Sequence, residues 1–445
     1  MKIMLISHSP LISGGAEKSL LEYAETLKEH EYDCRVILPG KGEFSKHLKE
    51  RGIKYSIVEY GWATKPHYKS NIRSSIEAAG RSLSNIYKVV KKYQPNVIIT
   101  NTTVIPWGLY VGKELKVPTI LLVHETLEDK QHVLGMEPNY AGYIDILDKN
   151  ADYVIYNSST TKESYDSLIK TPKISKALLF PVPNLKNIID DKYISCKEKD
   201  KVDFAIIGSV QAEKNQIEVL YAVKEMIKKG VNEFSINIYG DGDEEYLKKI
   251  NKYIKENNLA ESIHMKGYSN NIYEEINKNN IIISPFKNES FGRAVIEGQL
   301  FGRLVIANDT GATSDLIIDG RTGLIYESGN IMQLAEKMIW AIDNQKEAIK
   351  IGNNARKIQR ERYLSSNQYK ALIDAVEYYN ITSRNKDDNN TNLNRYSPIS
   401  ALSEYSNGLE YKYRHVYRIT HNRITRKILH YIRALARRTR TLFKS

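Results

Sequence analysis

Short apolar runs alternate with amphipathic stretches along most of the chain. Five such runs lie in the first half, at residues 2–7, 34–39, 96–100, 119–124 and 153–158. Continuous runs of this length are typical of strands that are buried on both faces of a parallel sheet. The stretch 16–30, which follows the first run, keeps Leu20 and Leu27 on one face of a predicted amphipathic helix. The pattern therefore predicts a doubly wound α/β domain in the first half.

The same pattern stops in the polar stretch 184–201 and then begins again. Four more apolar runs follow, at residues 203–209, 234–240, 281–286 and 303–309, and helical periodicity follows over 331–362 and 362–380. We therefore expect two Rossmann-like domains, over 1–190 and 200–365, and one last helix over 366–380. The stretch 381–410 begins with a segment that is rich in asparagine and poor in apolar residues, which is typical of a disordered linker.

Cysteine use and hydropathy favour a cytoplasmic protein. Cys34 and Cys196 are far apart and show neither metal-binding nor redox spacing, which favours a reducing compartment. The first apolar run is too short for a signal peptide, and no run reaches the roughly 18 apolar residues that a membrane-spanning helix needs.

In an open α/β sheet, ligands bind beyond the carboxyl ends of the strands. Gly14 and Gly15 follow the first strand and precede a helix, whose N-terminal amides suit a phosphate. A plain tight turn is the alternative. The spacing is not the dinucleotide fingerprint, and no acidic residue clearly ends the second strand, so NAD binding is disfavoured.

Three further polar residues follow predicted strands. His124 ends the strand at 119–124, where it would face a cleft between the domains or else be hydrogen-bonded within the next loop. Ser209 and Lys214 flank the turn after the first strand of the second half, and Lys214 can reach an anion at the following helix N-terminus. A solvated surface lysine is the alternative. The acids of the turn at 239–244 are expected to cap a helix that starts near residue 243.

The stretch 289–297, ESFGRAVIE, places a glutamate at each end of a turn into a helix. Glu289 and Ser290 lie in the loop after a buried strand, and a helix that starts near Gly292 would offer free amides to a phosphate. Glu289 can then accept hydrogen bonds from sugar hydroxyls, and Glu297 from a vicinal diol such as a ribose. This arrangement suits a nucleotide sugar. In the alternative, Glu289 caps the helix and Glu297 is an exposed helix residue.

Five segments together resemble glycosyltransferase family 4, namely GGAEKS, GSVQAEKN, YGDGDEEYL, ESFGRAVIE and GATSDLIIDGRTGLIY. The resemblance covers residues 1–380 and implies the GT-B fold, in which two Rossmann-like domains face each other across a cleft. It also implies that the helix over 366–380 crosses back to the N-terminal domain. The implied activity is that of a retaining transferase that needs no metal and takes a nucleoside-diphosphate sugar as co-substrate, without a further cofactor.

The resemblance also implies roles for residues of both domains. Gly15 would line the diphosphate and acceptor side, His124 would lie beside the reacting sugar, and Lys214 would neutralise the departing diphosphate. Many family members carry Arg where this chain has Ser209. A serine gives one neutral hydrogen bond in place of a forked cationic one, so more of the diphosphate charge would fall to Lys214.

The remaining implied contacts come from the 289–297 stretch. Glu289 would bind sugar hydroxyls beside Ser290 and the amides of Phe291 and Gly292, and Glu297 would hold the ribose. His124, Lys214 and Glu289 are therefore the candidate catalytic residues, and no metal site is expected.

These features predict sugar transfer from a nucleotide donor to a glycan or lipid-linked acceptor. Richness in Asn and Lys is typical of low-GC bacteria, in which cell-envelope or capsular polysaccharide synthesis is a common role. Two alternatives stay open: a catalytically inactive family-like binding protein tethered by its basic tail, and a GT-B sugar epimerase.

Positive charge is concentrated at the C-terminal end of the chain. The formal net charge is +12, and residues 411–445 hold eleven Lys or Arg and no Asp or Glu, which leaves +1 for the remainder. Apolar residues at helical spacing predict a basic amphipathic helix there, namely Ile424, Ile428, Tyr431, Leu435 and Leu442. Such a helix would bind anionic lipid, bind nucleic acid or pack on the rest of the protein. We expect peripheral attachment to the inner face of the cytoplasmic membrane and no nucleic-acid partner, because the remaining chain carries no recognition motif for nucleic acid.

Overall fold

A computed structural model describes residues 1–12, 14–64, 72–127, 140–169, 175–177, 195–364 and 369–384. The chain divides into two compact units. Unit 1 is made of Met1–Phe180 and the segment that starts at Tyr369, and unit 2 of Pro181–Gln368. The predicted basic tail at 411–445, and the predicted linker after residue 384, lie outside the described residues.

Unit 1 is built on a seven-stranded sheet with the order β3-β2-β1-β4-β5-β6-β7, in which every pair of neighbours is parallel. Its strands are β1 (Lys2–Ile6), β2 (Asp33–Leu38), β3 (Lys54–Ile57), β4 (Val97–Asn101), β5 (Thr119–Val123), β6 (Tyr153–Tyr156) and β7 (Ser175–Ala177). The helices between them are α1 (Gly15–Glu29), α2 (Glu43–Glu50), α3 (Ile72–Tyr93), α4 (Trp107–Leu115), α5 (Tyr140–Asn150) and α6 (Ser159–Asp166). Strands β4 and β5 are buried along their whole length, as central strands of a parallel sheet should be.

Unit 2 has the same α/β architecture and is built on a six-stranded parallel sheet with the order β10-β9-β8-β11-β12-β13. Its strands are β8 (Val202–Ile207), β9 (Phe234–Tyr239), β10 (Ile263–Gly267), β11 (Ile281–Ser284), β12 (Leu304–Asn308) and β13 (Leu324–Tyr326). Its helices are α7 (Gln216–Lys228), α8 (Glu244–Glu256), α9 (Ile272–Lys278), α10 (Arg293–Leu300), α11 (Thr313–Leu316), α12 (Ile331–Asp343) and α13 (Gln345–Leu364), with a short 3-10 turn at Ala212–Lys214. The side chain of Asp243 accepts a hydrogen bond from Tyr246 N at 2.9 Å, which confirms the cap predicted near residue 243.

The last described helix, α14 (Lys370–Arg384), belongs to unit 1. Its Tyr379 hydroxyl donates to the carbonyl of Asp152 at 2.9 Å, and the Tyr369 ring just before it meets Tyr23 edge-on at 6.3 Å. The helix continues to Arg384, so the prediction that a linker begins at residue 381 was wrong by one turn. Among the helices that the structure describes, none is both long and apolar enough to cross a membrane.

Helix α4 packs unusually close to the sheet of unit 1 because Gly108 has no side chain. A Cβ at this position would lie 2.8 Å from Ile6 Cδ1 and closer still to Thr100 Oγ1. We expect Gly108→Ala to destabilise unit 1 by about 1–3 kcal/mol, since the overpacked helix must move away from β1 and β4. Hydrogen exchange should show faster opening of β1 and β4, with the strands of unit 2 as an internal reference.

The matched control is Gly61→Ala, because a Cβ at Gly61 would meet nothing within 4 Å. Equal protection of β1 and β4 in both variants would contradict the close packing of α4.

Candidate active site

The 289–297 stretch leaves the sheet of unit 2 after β11 and enters α10 through a glycine. Gly292 caps the helix with φ 82° and ψ 44°, and a Cβ there would lie 2.6 Å from Leu316 Cδ1. Only glycine satisfies both the left-handed backbone and the lack of space. The helix start predicted near Gly292 is confirmed, and the alternative in which Glu289 is the cap residue is wrong.

Glu289 is paired with Lys214 across the loops that follow two neighbouring strands, β11 and β8. Lys214 Nζ lies 2.8 Å from Glu289 Oε2, and the two side chains are 25% and 14% exposed. The same Nζ lies 4.3 Å from the centroid of the Phe286 ring. The alternative of a solvated surface lysine is therefore wrong. A cation and a carboxylate are instead held together at the carboxyl edge of the sheet, which suits an anionic, hydroxyl-bearing ligand.

The loop after β12 holds the backbone of Glu289 in place. Ala312 N donates to the Glu289 carbonyl at 2.7 Å, and Thr310 Oγ1 accepts from Asn288 N at 3.1 Å. Gly311 adopts φ 66°, and a Cβ there would collide with the backbone N and O of Glu289. Sequence reasoning missed this contact. The signal for it was the position of GAT, at 311–313, one residue after the end of the run 303–309.

A buried carboxylate fixes the turn that carries Lys214. Asn215, with φ 52°, follows Lys214 and donates through Nδ2 to Glu218 Oε2, while Gly329 N donates to Glu218 Oε1 at 2.7 Å. Burial raises the pKa of Glu218, although these hydrogen bonds act in the opposite direction. Glu218 therefore ties the Lys214 turn to the loop after β13.

Ser209 lies in the loop between β8 and the Lys214 turn. Its side chain is exposed, and its carbonyl accepts from Gln216 Nε2 at 2.8 Å. Gly240, with φ 141°, packs against this loop so closely that a Cβ there would collide with the Gly208 carbonyl. The YGDG turn is thus a support for the Ser209 loop.

The other predicted residues of the stretch are buried. Ser290 and Phe291 are 8% and 6% exposed, and Glu297 is 7% exposed inside α10. Arg293 Nη2 lies 3.7 Å from Glu297 Oε1, one helical turn earlier. The alternative in which Glu297 is an exposed helix residue is wrong, and Arg293 is a neighbour that sequence reasoning did not identify.

In unit 1, Gly15 is the first residue of α1, and Gly14 is its cap residue. Glu17 Oε2 accepts from Gly14 N at 3.1 Å, and Glu17 Oε1 lies 3.1 Å from His8 Nε2. The pKa of Glu17 lies below its usual value. Burial acts to raise this pKa, but the hydrogen bond with His8, the charge of His8 and the hydrogen bond from the backbone N–H of Gly14 together lower it by more. The glycine pair is therefore a capped helix start and not a plain tight turn.

His124 is connected to the same helix start through Asn101. Asn101 Oδ1 lies 2.7 Å from His124 Nε2, and Asn101 Nδ2 donates to the Ala16 carbonyl at 3.2 Å. Because the amide nitrogen is used on Ala16, Oδ1 is the acceptor and His124 Nε2 the donor. His124 is 9% exposed and its carbonyl accepts from Asn157 Nδ2 at 2.9 Å. The structure thus brings together the predicted Gly15 and His124 through Asn101, which the sequence analysis did not single out.

Two family models match the chain, one in each unit. The model for Glycosyltransferase Family 4 matches residues 13–175, and the model for glycosyl transferases group 1 matches residues 188–358. The chain belongs to glycosyltransferase family 4. The identification made from the motifs is thereby confirmed, and Lys214, Glu289 and Glu297 all fall within the group 1 match.

Several curated relatives of this family 4 chain carry glycosyltransferase names. It is 24% identical to an uncharacterized glycosyltransferase of Methanocaldococcus jannaschii, over 71% of this chain and 87% of that protein. It is 27% identical to the poly(ribitol-phosphate) alpha-N-acetylglucosaminyltransferase of Staphylococcus aureus, over 48% of this chain and 44% of that protein. An Escherichia coli UDP-Gal:alpha-D-GlcNAc-diphosphoundecaprenol alpha-1,3-galactosyltransferase is 21% identical, over 78% and 89% of the two chains. The match thus spans less than half of the Staphylococcus protein.

A solved structure with the same fold is Anabaena HepE in complex with UDP and glucose. It superposes with a TM-score of 0.68 at 17% identity, over 85% of this chain and 99% of HepE. The likeness shows the fold alone. Together with the two parallel sheets, it confirms that this family 4 glycosyltransferase has the GT-B fold.

Proposed function

We propose that this glycosyltransferase moves a sugar, with retention and without a metal, from a nucleoside-diphosphate sugar to a glycan or lipid-linked acceptor of the cell envelope. The observation that carries the proposal is the Lys214–Glu289 pair. It lies at the carboxyl edge of the unit 2 sheet, where Glu289 belongs to the turn that leads to the N-terminus of α10 and Lys214 to the turn after β8. An anion and a hydroxyl-rich group can be bound side by side there.

Lys214 is suited to bind the diphosphate and to stabilise the charge that develops on it as the sugar departs. The neighbouring Ser209 is neutral and exposed, so the cationic contribution of this turn comes from Lys214. When the diphosphate binds, the Lys214 ammonium would form hydrogen bonds with the phosphate oxygens as well as with Glu289. Glu289 would then accept hydrogen bonds from the hydroxyls of the transferred sugar.

Unit 1 is proposed to supply the acceptor side. Its contacts are the amides at the start of α1, near Gly15, and His124, whose Nε2 is occupied by Asn101. The hydrogen bond with Asn101 fixes the orientation of the His124 ring, which is proposed to lie beside the reacting sugar.

The acceptor class is supported by the names of relatives. One relative acts on a poly(ribitol-phosphate) and another on a diphosphoundecaprenol-linked sugar. HepE was crystallised with UDP and glucose, which supports a nucleotide-sugar donor for this chain as well. A polymer or lipid-linked saccharide is therefore the proposed acceptor.

We expect Lys214→Ala and Glu289→Gln each to reduce the rate of transfer roughly 10²–10³-fold, because each removes one preorganised contact to developing charge or to the reacting sugar. Steady-state kinetics with UDP-, GDP- and ADP-sugars measures the loss, and circular dichroism checks that the variants are folded. Wild-type turnover in either variant would rule out the assigned roles.

Glu297→Gln is the matched comparison within the same 289–297 stretch. A ribose contact changes little during the reaction, so this variant should raise the donor KM and leave kcat nearly unchanged. A lost kcat at an unchanged donor KM would contradict a role in ribose binding.

Metal independence has its own test. Both carboxylates of the Asp241–Asp243 turn already accept backbone N–H groups, from Tyr268 at 3.2 Å and Tyr246 at 2.9 Å. Lys214 and the α10 amides are proposed to serve the diphosphate in place of a divalent ion. We expect full activity after dialysis against EDTA. If EDTA abolishes activity and magnesium or manganese restores it, the metal-free scheme is wrong.

We also propose that residues 411–445 attach the protein to the inner face of the cytoplasmic membrane. The proposal is supported by the composition of this tail and by the lipid-linked substrate of the Escherichia coli relative. Each Lys or Arg near an anionic bilayer contributes about 1 kcal/mol, so half of the eleven would hold the protein at the surface.

Co-sedimentation with anionic liposomes should pellet the full chain at low salt, and high salt should release it. A version that ends at Arg384, and a full-length variant in which all eleven Lys and Arg of residues 411–445 are changed to Gln, should both stay in the supernatant. Equal sedimentation of all three forms would show that the tail is not the anchor.

A further inference from the structure

One face of the unit 2 sheet carries a polar strip along β9, where a parallel sheet is normally apolar. Along β9, Ile236 and Ile238 pack into the main core, and the alternate residues Ser235, Asn237 and Tyr239 therefore lie on the opposite face. These three are buried, at 5%, 8% and 6% exposure. Both faces of a parallel sheet are ordinarily covered by apolar side chains, so this polar strip needs a reason.

The strip is the floor of a cavity of about 460 Å³. Asp203 of β8, His264 and Lys266 of β10, and Glu275 and Lys278 of α9 line its sides. The volume lies within the range of about 300–1,000 Å³ that is typical of small-molecule sites. The cavity is thus large enough for a monosaccharide with a charged substituent.

Hydrogen bonds hold the floor in one arrangement. Asn237 Nδ2 donates to Asn279 Oδ1 at 2.9 Å, and Asn279 Nδ2 donates to the Glu275 carbonyl at 2.7 Å. Tyr239 donates to Glu275 Oε2 at 3.1 Å, and Ser235 donates to Asp203 Oδ1 at 2.5 Å. Amide and hydroxyl groups fixed in this way are suited to the hydroxyls of a sugar.

The charges of the cavity leave an excess of cations. Glu275 is paired with Lys278 at 2.9 Å, and Asp203 with Lys199 at 2.6 Å, so both carboxylates are already neutralised. Lys201 and Lys266 have no ion pair and no side-chain hydrogen bond among the described residues, so they are the excess cations. Burial and the charges of Lys266 and Lys201 lower the pKa of His264, although the charge of Asp203 acts in the opposite direction.

The cavity and the Lys214 site share no lining residue. Asp203 lies near the amino end of β8, and Ser209 follows its carboxyl end six residues later. At roughly 3.3 Å per residue, that separation is about 20 Å. The Asp203 end of the cavity is therefore remote from the diphosphate held by Lys214, whereas Lys266 lies near the carboxyl end of β10.

We infer that this cavity is a second ligand site, which binds a sugar phosphate: Lys201 and Lys266 supply the positive charge that attracts the phosphate, and the sugar hydroxyls lie on the Ser235–Asn237–Tyr239 floor. The site is independent of the donor contacts, so it can be present whether or not the proposed transfer reaction is correct.

The test is isothermal titration of the full chain with glucose 1-phosphate at low salt. The double variant Lys201→Gln, Lys266→Gln should bind roughly tenfold more weakly, because both cations are lost. Two controls should bind as the wild type does. One is Lys248→Gln, Lys252→Gln, which changes two lysines of α8 that are 80% and 73% exposed. The other is Lys214→Ala, which disables the donor contact.

Methyl glucoside should show no binding, and inorganic phosphate should bind more weakly than glucose 1-phosphate. Equal affinities of wild type and the Lys201/Lys266 variant, or no binding to wild type, would overturn the site. Loss of binding in Lys214→Ala would assign the sugar phosphate to the donor contacts instead. Equal affinity for inorganic phosphate would overturn the role of the polar floor.

Discussion

In both sheets every strand is paired with parallel neighbours, and this pairing decides where polar loop residues can meet. Parallel neighbours cannot be joined by a tight turn, so each connection crosses over and all the strands point the same way. Their carboxyl ends therefore share one edge of the sheet. In unit 2, β8 lies beside β11, which brings together the loops of Lys214 and Glu289. In unit 1, β4 lies beside β5, which brings Asn101 to His124.

The charged pair at the carboxyl edge of the unit 2 sheet adds little to the stability of the folded chain. Lys214 and Glu289 each lose part of their hydration, and a partly buried ion pair of this kind recovers little more than that loss. Its value is that both side chains are held in position before a ligand arrives. Gly292 and Gly311 serve the same end, because each allows a close backbone approach that a Cβ would block. The geometry of the site thus depends on backbone packing as much as on the charged groups themselves.

Unit 2 departs from the rules of a parallel sheet in two places. One is the carboxyl edge, where the charged pair lies. The other is the face of β9 that carries Ser235, Asn237 and Tyr239. Natural sequences depart from the expected pattern of apolar and polar residues mainly at functional sites. In this sheet β11 and β12 keep the expected pattern, because both strands are buried throughout.

The apolar runs predicted nine of the strands because a buried strand must be apolar over its whole length. The four strands that the pattern missed, β3, β7, β10 and β13, are the four edges of the two sheets. An edge strand has one neighbour, and Lys54–Ile57 and Ile263–Gly267 are partly exposed, so neither has a continuous apolar run. Local pattern alone therefore could not separate them from loops.

The sequence by itself determined the family, the alternation of strands and helices, and the helix starts at Gly15, Asp243 and Gly292, since these depend on residues close together in the chain. Only the tertiary structure decided which side chains meet. The pairing of Lys214 with Glu289 and that of Asn101 with His124 each join residues far apart in sequence. Such contacts are set by strand order and by the packing of one backbone on another, and no local pattern of residue types carries that information.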